Sequence, residues 1–319
     1  MHPAASLQQL VEKEIAAWNP GSYPNSLYEP ARYMLSPGGK RLRPVLVLMG
    51  CELAGGDVST ALPLALGVEV FHNFTLLHDD IMDNAPLRRG HPTVHQQWNI
   101  PTAILAGDVL FVKSIQLIHS CGHPQVMEIF LHHALLVCEG QQLDMDFEKR
   151  QDVSIKEYLE MITLKTAVLT GACLQAGALV AGAPQQTAHL LYEAGKNMGI
   201  AFQLNDDLLD VYSDERFGKQ TGGDILAGKK TYLYLRALEL LDNQQAQQLR
   251  IIYSSKKNDP AVVPAVRALF DSVNIAAEAR KLMDEYYQQA MQYLQNVPVD
   301  EYRKQPLKGL FEQLMNRHH

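Results

Sequence analysis

Cysteine is scarce in this chain, and what there is does not pair by spacing. The four cysteines, Cys51, Cys121, Cys138 and Cys173, form no CxxC and stand far apart. A disulfide framework and a zinc site are both disfavoured, and a reducing cytosol is the expected compartment. An excess of basic charge is also missing. Lys and Arg number 28 against 35 Asp and Glu, a formal charge of −7, which argues against a generic nucleic-acid binder. Alternating strand-like runs between turn residues are rare. Residues 1–18 show no basic segment followed by an apolar run, so no secretory leader is expected. The longest charge-free stretch, residues 166–192, is broken by His189 and by several Gln, Thr and Gly. Its core of small residues predicts a buried helix with close neighbours and no stable membrane insertion.

The chain has 319 residues, of which 47% are hydrophobic and 20% charged; it is long and apolar enough to bury a large core and excludes disorder. The hydrophobic period is helical nearly throughout. Helices are expected near 4–18, 25–35, 41–54, 58–83, 101–120, 124–148, 154–182, 185–213, 228–241, 243–254, 259–270, 273–295 and 305–316. Gly- and Pro-rich breakers separate many of them, and Ser59 and Ser154 are candidate N-caps. With no linker or repeat in sight, residues 1–319 read as one all-α domain, a bundle of about ten or more helices around its long central ones.

Two of those helices end in acid. The first, apolar on almost every face, runs into Asp79-Asp80-Ile81-Met82-Asp83. The second runs into Asp206-Asp207-Leu208-Leu209-Asp210. In each, the first and last aspartates stand at i and i+4 on one face. The helix dipole disfavours carboxylates at a C-terminal end. Two carboxylates about 4 Å apart repel by roughly 4 kcal/mol at an effective dielectric of 20. Solvation, protonation or bound cations must offset that cost. Oxygen-only ligands suit hard cations, and Mg²⁺ bridges carboxylates to substrate phosphates. One DDxxD is as readily a solvated helix end; two, each closing a long apolar helix, point to metal.

An acidic chain needs a reason to cluster cations. Gly38-Gly39-Lys40-Arg41-Leu42-Arg43-Pro44 sets three just after a glycine turn, Arg88-Arg89 follow the first acidic cluster, and Lys165, Lys219 and Lys229-Lys230 add more. Arginine binds phosphate bidentately and lysine as a point charge. Each group alone reads as solvated surface. Together with two Mg²⁺-type clusters they indicate two polyanions, one bridged by metal and one held directly by cations.

These segments resemble the trans-isoprenyl diphosphate synthases, the polyprenyl synthetase family that includes short-chain farnesyl and geranylgeranyl diphosphate synthases. The matching segments are GGKRLRP (38–44), FHNFTLLHDDIMD (71–83), RRGHPTVH (88–95), GQQLD (140–144), KTA (165–167), FQLNDDLLD (202–210) and GKQTGGDILAGKKTY (218–232). The resemblance implies the isoprenoid synthase fold, all-α around a central active-site cavity, in a cytoplasmic homodimer. It implies Mg²⁺, two or three ions per site. It also implies a reaction: an allylic diphosphate (dimethylallyl, geranyl or farnesyl) ionises, the double bond of isopentenyl diphosphate attacks the cation, and loss of a proton gives a longer all-trans prenyl diphosphate. By the same resemblance Asp79, Asp83 and Asp206 are metal ligands, with Asp80, Asp207 and Asp210 in support. Arg88, Lys165, Thr166, Gln203, Lys219 and Lys229 form the allylic diphosphate site. Lys40, Arg41, His72 and Arg89 form the isopentenyl diphosphate site, with Arg43 able to share the work. Asp79, Asp83, Arg88, Lys165, Asp206 and Lys229 carry the catalysis.

Phe74 and Thr75 precede the first acidic cluster by five and four residues. At 1.5 Å per residue, Phe74 lies roughly 7.5 Å along the axis from Asp79, where a growing prenyl tail would meet it. Within the resembled family these positions set chain length, and with no insertion in the first motif they imply C15 to C20 products, leaning to C20. A class I terpene cyclase would need a different second motif, which neither register from Asn205 or Asp206 supplies. A di-iron bundle would need two ExxH motifs, and only Glu69 to His72 fits. A non-catalytic partner subunit would have lost one set of acids or cations, and both are present. The ending Asn316-Arg317-His318-His319 is a weak version of the basic tail that closes the isopentenyl site in some relatives.

Overall fold

The helical period of the sequence is realised almost everywhere in a computed structural model that describes residues 1–213, 222–255 and 259–316. In chain order the helices are α1 (Ala4–Ala17), α2 (Asn25–Leu35), α3 (Leu42–Ala54), α4 (Val58–Met82), α5 (Val94–Gln97), α6 (Ile100–His119), α7 (Pro124–Lys149), α8 (Ile155–Ile162), α9 (Val168–Val180), α10 (Gln185–Tyr212), α11 (Gly223–Ala227), α12 (Tyr232–Leu240), α13 (Asn243–Ser255), α14 (Val263–Ser272), α15 (Ile275–Gln295) and α16 (Glu301–Met315). Among the described residues strand is confined to a two-residue antiparallel pair, β1 (Leu87–Arg88) with β2 (His91–Pro92).

Several boundaries differ from expectation for local reasons. Asp57, not Ser59, caps α4: its carboxylate accepts from the Ser59 amide at 2.9 Å. Ser154 does cap α8, in a capping box with Glu157. The helix expected over 154–182 is interrupted by a π-helical turn, Thr163–Ala167, between α8 and α9. Expected helix 228–241 begins only at Tyr232, after the one-turn α11 and a left-handed Gly228. Helix α16 begins at Glu301, ahead of its expected start at 305.

The chain forms two compact units. The first comprises residues 1–131, 172–191 and 298–307. In it α4 packs against α3 and α6, and Leu64, Val70, Phe71 and Leu77 of α4 are buried. The small residues of α9 serve close packing on α3. A Cβ at Gly177 would stand 2.0 Å from the Val47 carbonyl oxygen, and one at Gly50 would stand 2.3 Å from that of Leu174. The second unit comprises residues 132–171, 192–297 and 308–319. There α12 packs against α8, α13, α14 and α15, with Leu233, Tyr234 and Leu249 buried.

Three helical stretches have the length and apolarity of membrane spans: residues 58–82, 100–119 and 155–180. The most apolar windows of the first and third are 61% and 72% buried, whereas that of α6 is only 28% buried.

Candidate functional site

In the first unit the site grows out of α4. The helix is apolar until its last turn, so its acids emerge at the end. Asp79 is one-fifth exposed and Asp80 is 2% exposed. Asp83, one turn on, is the exposed C-cap residue. The β1–β2 turn, with Arg89 and Gly90 both at positive φ, folds Arg88 back over this end. Arg88 Nε donates to both Asp80 oxygens at 2.8 and 2.9 Å, and Nη2 donates to Asp79 at 3.4 Å. Burial raises the Asp80 pKa while Arg88 opposes it. Asp80, expected as a supporting metal ligand, is placed as the buried anchor of Arg88. Asp79 and Asp83 keep the shared helix face.

The loop before α3 carries the other cations of this unit. Lys40 is exposed. Arg43 Nη1 meets His72 Nε2 at 3.2 Å. Enclosure of the ring, then the charge of Arg43, hold the His72 pKa well below its ordinary value, so the imidazole is neutral at pH 7. Arg89 Nη1 donates to the carbonyls of Pro37 and Gly38 at 3.0 and 2.9 Å. Arg41 points inward, its side chain 1% exposed and paired with Glu12 and Glu69. That corrects its reading as a phosphate ligand: its donors already meet two carboxylates and lie out of solvent. The isolated acid in the apolar run of α4, Glu69, was the signal for this, since a buried charge demands a partner.

Phe74 belongs to an aromatic cluster. Its ring centroid lies 5.1 Å from Phe111, 5.6 Å from Phe71 and 4.8 Å from His78, and Phe71 packs on Phe130. The Thr75 hydroxyl donates to the His72 carbonyl at 2.8 Å.

In the second unit Lys165 and Thr166 sit on the π-helical turn, a feature that recurs at functional sites. Gly140 of α7 makes room for that turn: a Cβ there would lie 2.2 Å from the Lys165 amide nitrogen. Lys165 Nζ donates to Asp144 at 2.6 Å, and Lys229 Nζ lies 3.9 Å from the same carboxylate. The Thr166 hydroxyl donates to Gln203 at 3.2 Å, and Gln203 donates to Asp207 at 3.1 Å. Tyr158 donates its hydroxyl to the other Asp207 oxygen. These residues line one cleft, together with Asp224 and Lys230.

Asp207 is 4% exposed, both its oxygens already accept, and burial followed by Asp224 pushes its pKa far up. Asp207, expected as a supporting metal ligand, is placed as a buried partner of Tyr158 and Gln203. Asp206 and Asp210 are half-buried. An Asp210 oxygen accepts from the Asp224 amide at 2.9 Å. The Asp224 carboxyl is pushed up to about 7 by burial and then by Asp210. Lys219, expected in the allylic site, and the tail residues Arg317, His318 and His319 lie outside the described residues.

Sequence reasoning passed over Asp144, Asp224 and Tyr158 as site residues. The first two lie in motifs already singled out, GQQLD and GGDILAGKK. Tyr158 gave no signal, because an aromatic on an amphipathic helix reads as core.

Both clusters fit a hard cation. Their donors are carboxylate oxygens, the ligands a hard cation takes, and in the second cluster burial and then Asp210 raise the Asp224 pKa. Among the described residues no three His, Cys, Asp or Glu side chains close into a cage. Mg²⁺ needs none, since it retains water and takes phosphate oxygens beside one or two carboxylates.

A family model described as polyprenyl synthetase matches residues 24–270. A geranylgeranyl diphosphate synthase of Methanosarcina mazei is 43% identical over 226 residues, 69% of this chain and 70% of that protein. A geranylfarnesyl diphosphate synthase of Natronomonas pharaonis is 34% identical over 335 aligned positions, 98% of this chain and 96% of that protein. A crystal structure of a geranylgeranyl pyrophosphate synthase superposes with a TM-score of 0.94 at 41% identity, covering 99% of both chains.

Proposed function

The chain belongs to the polyprenyl synthetase family, and from that premise we propose how its residues serve a trans-prenyltransferase that extends an allylic diphosphate with isopentenyl diphosphate. The observation that carries the reading is the cleft of the second unit. Lys165 and Lys229 converge there on Asp144, beside the Thr166–Gln203 pair. Two ammonium groups at that spacing suit the departing diphosphate of the allylic substrate. Diphosphate leaves only as its charge is neutralised, and fixed cations aimed at developing charge lower that barrier. The Thr166 hydroxyl and the Gln203 amide are dipoles placed to steady positive charge near the same group. Lys40, Arg43 and Arg89 hold the diphosphate of isopentenyl diphosphate, with neutral His72 orienting Arg43. Mg²⁺, when bound, would supply further neutralisation of diphosphate charge; Asp79 and Asp83 are the residues of the first unit that would hold it, and Asp206 and Asp210 those of the second. The aromatic cluster around Phe74 supplies an apolar wall suited to a prenyl tail.

The product is a short-chain prenyl diphosphate. We place it at C15 to C20, toward C20, because Phe74 is backed by Phe111 and the first aspartate motif carries no insertion. A second copy of the chain is the proposed cover for the outer face of α6, where Leu105 and Val112 are 55% and 52% exposed.

The test is direct. The purified chain is incubated with isopentenyl diphosphate, Mg²⁺ and each of dimethylallyl, geranyl and farnesyl diphosphate, and products are read by mass spectrometry. Elongation that stops when a chelator is added is expected. A chain that extends no primer is a partner subunit, not an enzyme.

A further inference from the structure

The loop between α2 and α3 is held from three directions. Gln8 of α1 donates to the Gly39 carbonyl at 3.0 Å. Arg89 reaches the carbonyls of Pro37 and Gly38. Arg41 itself stands in the left-handed region, φ 44 and ψ 38, a conformation that a non-glycine residue keeps only when its surroundings impose it. Those surroundings are two acids. Arg41 Nε donates to Glu12 at 2.9 Å, Nη1 to Glu69 at 2.7 Å, and Nη2 to the Leu35 carbonyl at 3.3 Å. Glu69 is 2% exposed and also accepts from Asn73 at 3.1 Å. One turn along α4 from Glu69 lies His72, against Arg43.

Arg41 and Arg43 thus follow two rungs of α4, one anchored at Glu69 and the other meeting His72. Moving Arg41 onto a phosphate would leave Glu69 charged and buried without its partner, a strongly unfavourable exchange. We propose that Glu12 and Glu69 are positioning residues. By pulling Arg41 inward they fix the strained turn that presents Lys40 and Arg43 to isopentenyl diphosphate. Arg41 is the strut of the loop. This rests on the reading that the loop binds that substrate.

Glu12→Gln tests the strut with an opposite sign for each role of Arg41. If Arg41 were a phosphate ligand, weakening Glu12 would release it, and isopentenyl diphosphate would bind more tightly. For a strut, the turn loosens and binding weakens. Losing a hydrogen bond to a charged group predicts a rise of about fivefold or more in the KM for isopentenyl diphosphate, with kcat and the allylic KM moving much less. Glu12→Asp, which keeps the charge, restores part of the loss. Glu12 is the chosen site because its side chain is 38% exposed, so the variant folds where Glu69→Gln is at risk. Equilibrium binding of isopentenyl diphosphate is measured alongside, so the strut is read independently of turnover. An unchanged or tighter affinity in Glu12→Gln overturns the strut, whereas a wild type that binds but extends no primer overturns only the enzyme reading.

Discussion

Asp224 carries the cost of a carboxyl buried beside another acid, Asp210. Its folded pKa of about 7 lies above the ordinary aspartate value of 3.8. Between those values the folded protein binds more protons than the unfolded chain, so this group's contribution to stability falls as pH rises through that window and the penalty is complete above it. Asp224→Asn is therefore expected to raise the melting temperature of the ligand-free protein by at least about 2 °C at pH 8 and hardly at all near pH 4, while lowering activity. Scanning calorimetry at the two pH values reads the difference, and an equal gain at both would assign it to packing. Phe74 makes a second argument at this scale. Removing its ring opens the wall beside α4 but leaves Phe111 behind it. Phe74→Ala should lengthen the product by about one isoprene unit, in line with the volume lost from the side chain. Product chromatography showing an unchanged chain length would remove Phe74 from the tail's path.

At the scale of elements, the π-helical turn and α7 depend on each other. The turn sets Lys165 and Thr166 in the cleft, and it fits only because Gly140 has no side chain. Gly140→Ala inserts a methyl where backbone already sits. Overpacking of this kind costs about 1–3 kcal/mol, and here the strain falls on Lys165 and Thr166, the two residues proposed to face diphosphate. We expect kcat to drop at least about tenfold in a protein whose circular dichroism is unchanged; full activity would show that the turn tolerates displacement. None of this was legible beforehand. The run from Ser154 to Gly182 is continuously helical in its period, and a single extra residue in a turn leaves no trace in an apolar pattern. The acidic clusters and the cationic segments were legible, because like charges ending apolar helices are anomalous wherever they occur. Their division of labour was not. Asp79 from Asp80, Asp206 from Asp207 and Arg43 from Arg41 differ only in which face of the backbone they take. Partners distant in sequence decide that face: Arg88, Tyr158 and Glu12.

At the scale of the whole molecule, α6 is the element whose sequence and burial disagree. Its composition is that of a buried helix, yet its most apolar window is only 28% covered, and Ile104, Leu105 and Val112 face outward. Exposed apolar patches of this kind on a chain in water mark a surface that something covers. A second copy presents the same face, so one apolar stripe meets another under two-fold symmetry without further design. Burying each Leu or Val contributes about 1.5–3 kcal/mol, and the gain is doubled because every side chain appears twice in the interface. Leu105→Glu with Val112→Glu places charge on that seam. The wild type is expected to sediment as a dimer and the variant as a monomer, its self-association weakened at least about 100-fold in affinity. Helicity should hold, because neither residue supports the core of its own chain. A wild type that sediments as a monomer at micromolar concentration, and instead spins down with phospholipid vesicles, would show that lipid and not a second copy covers α6.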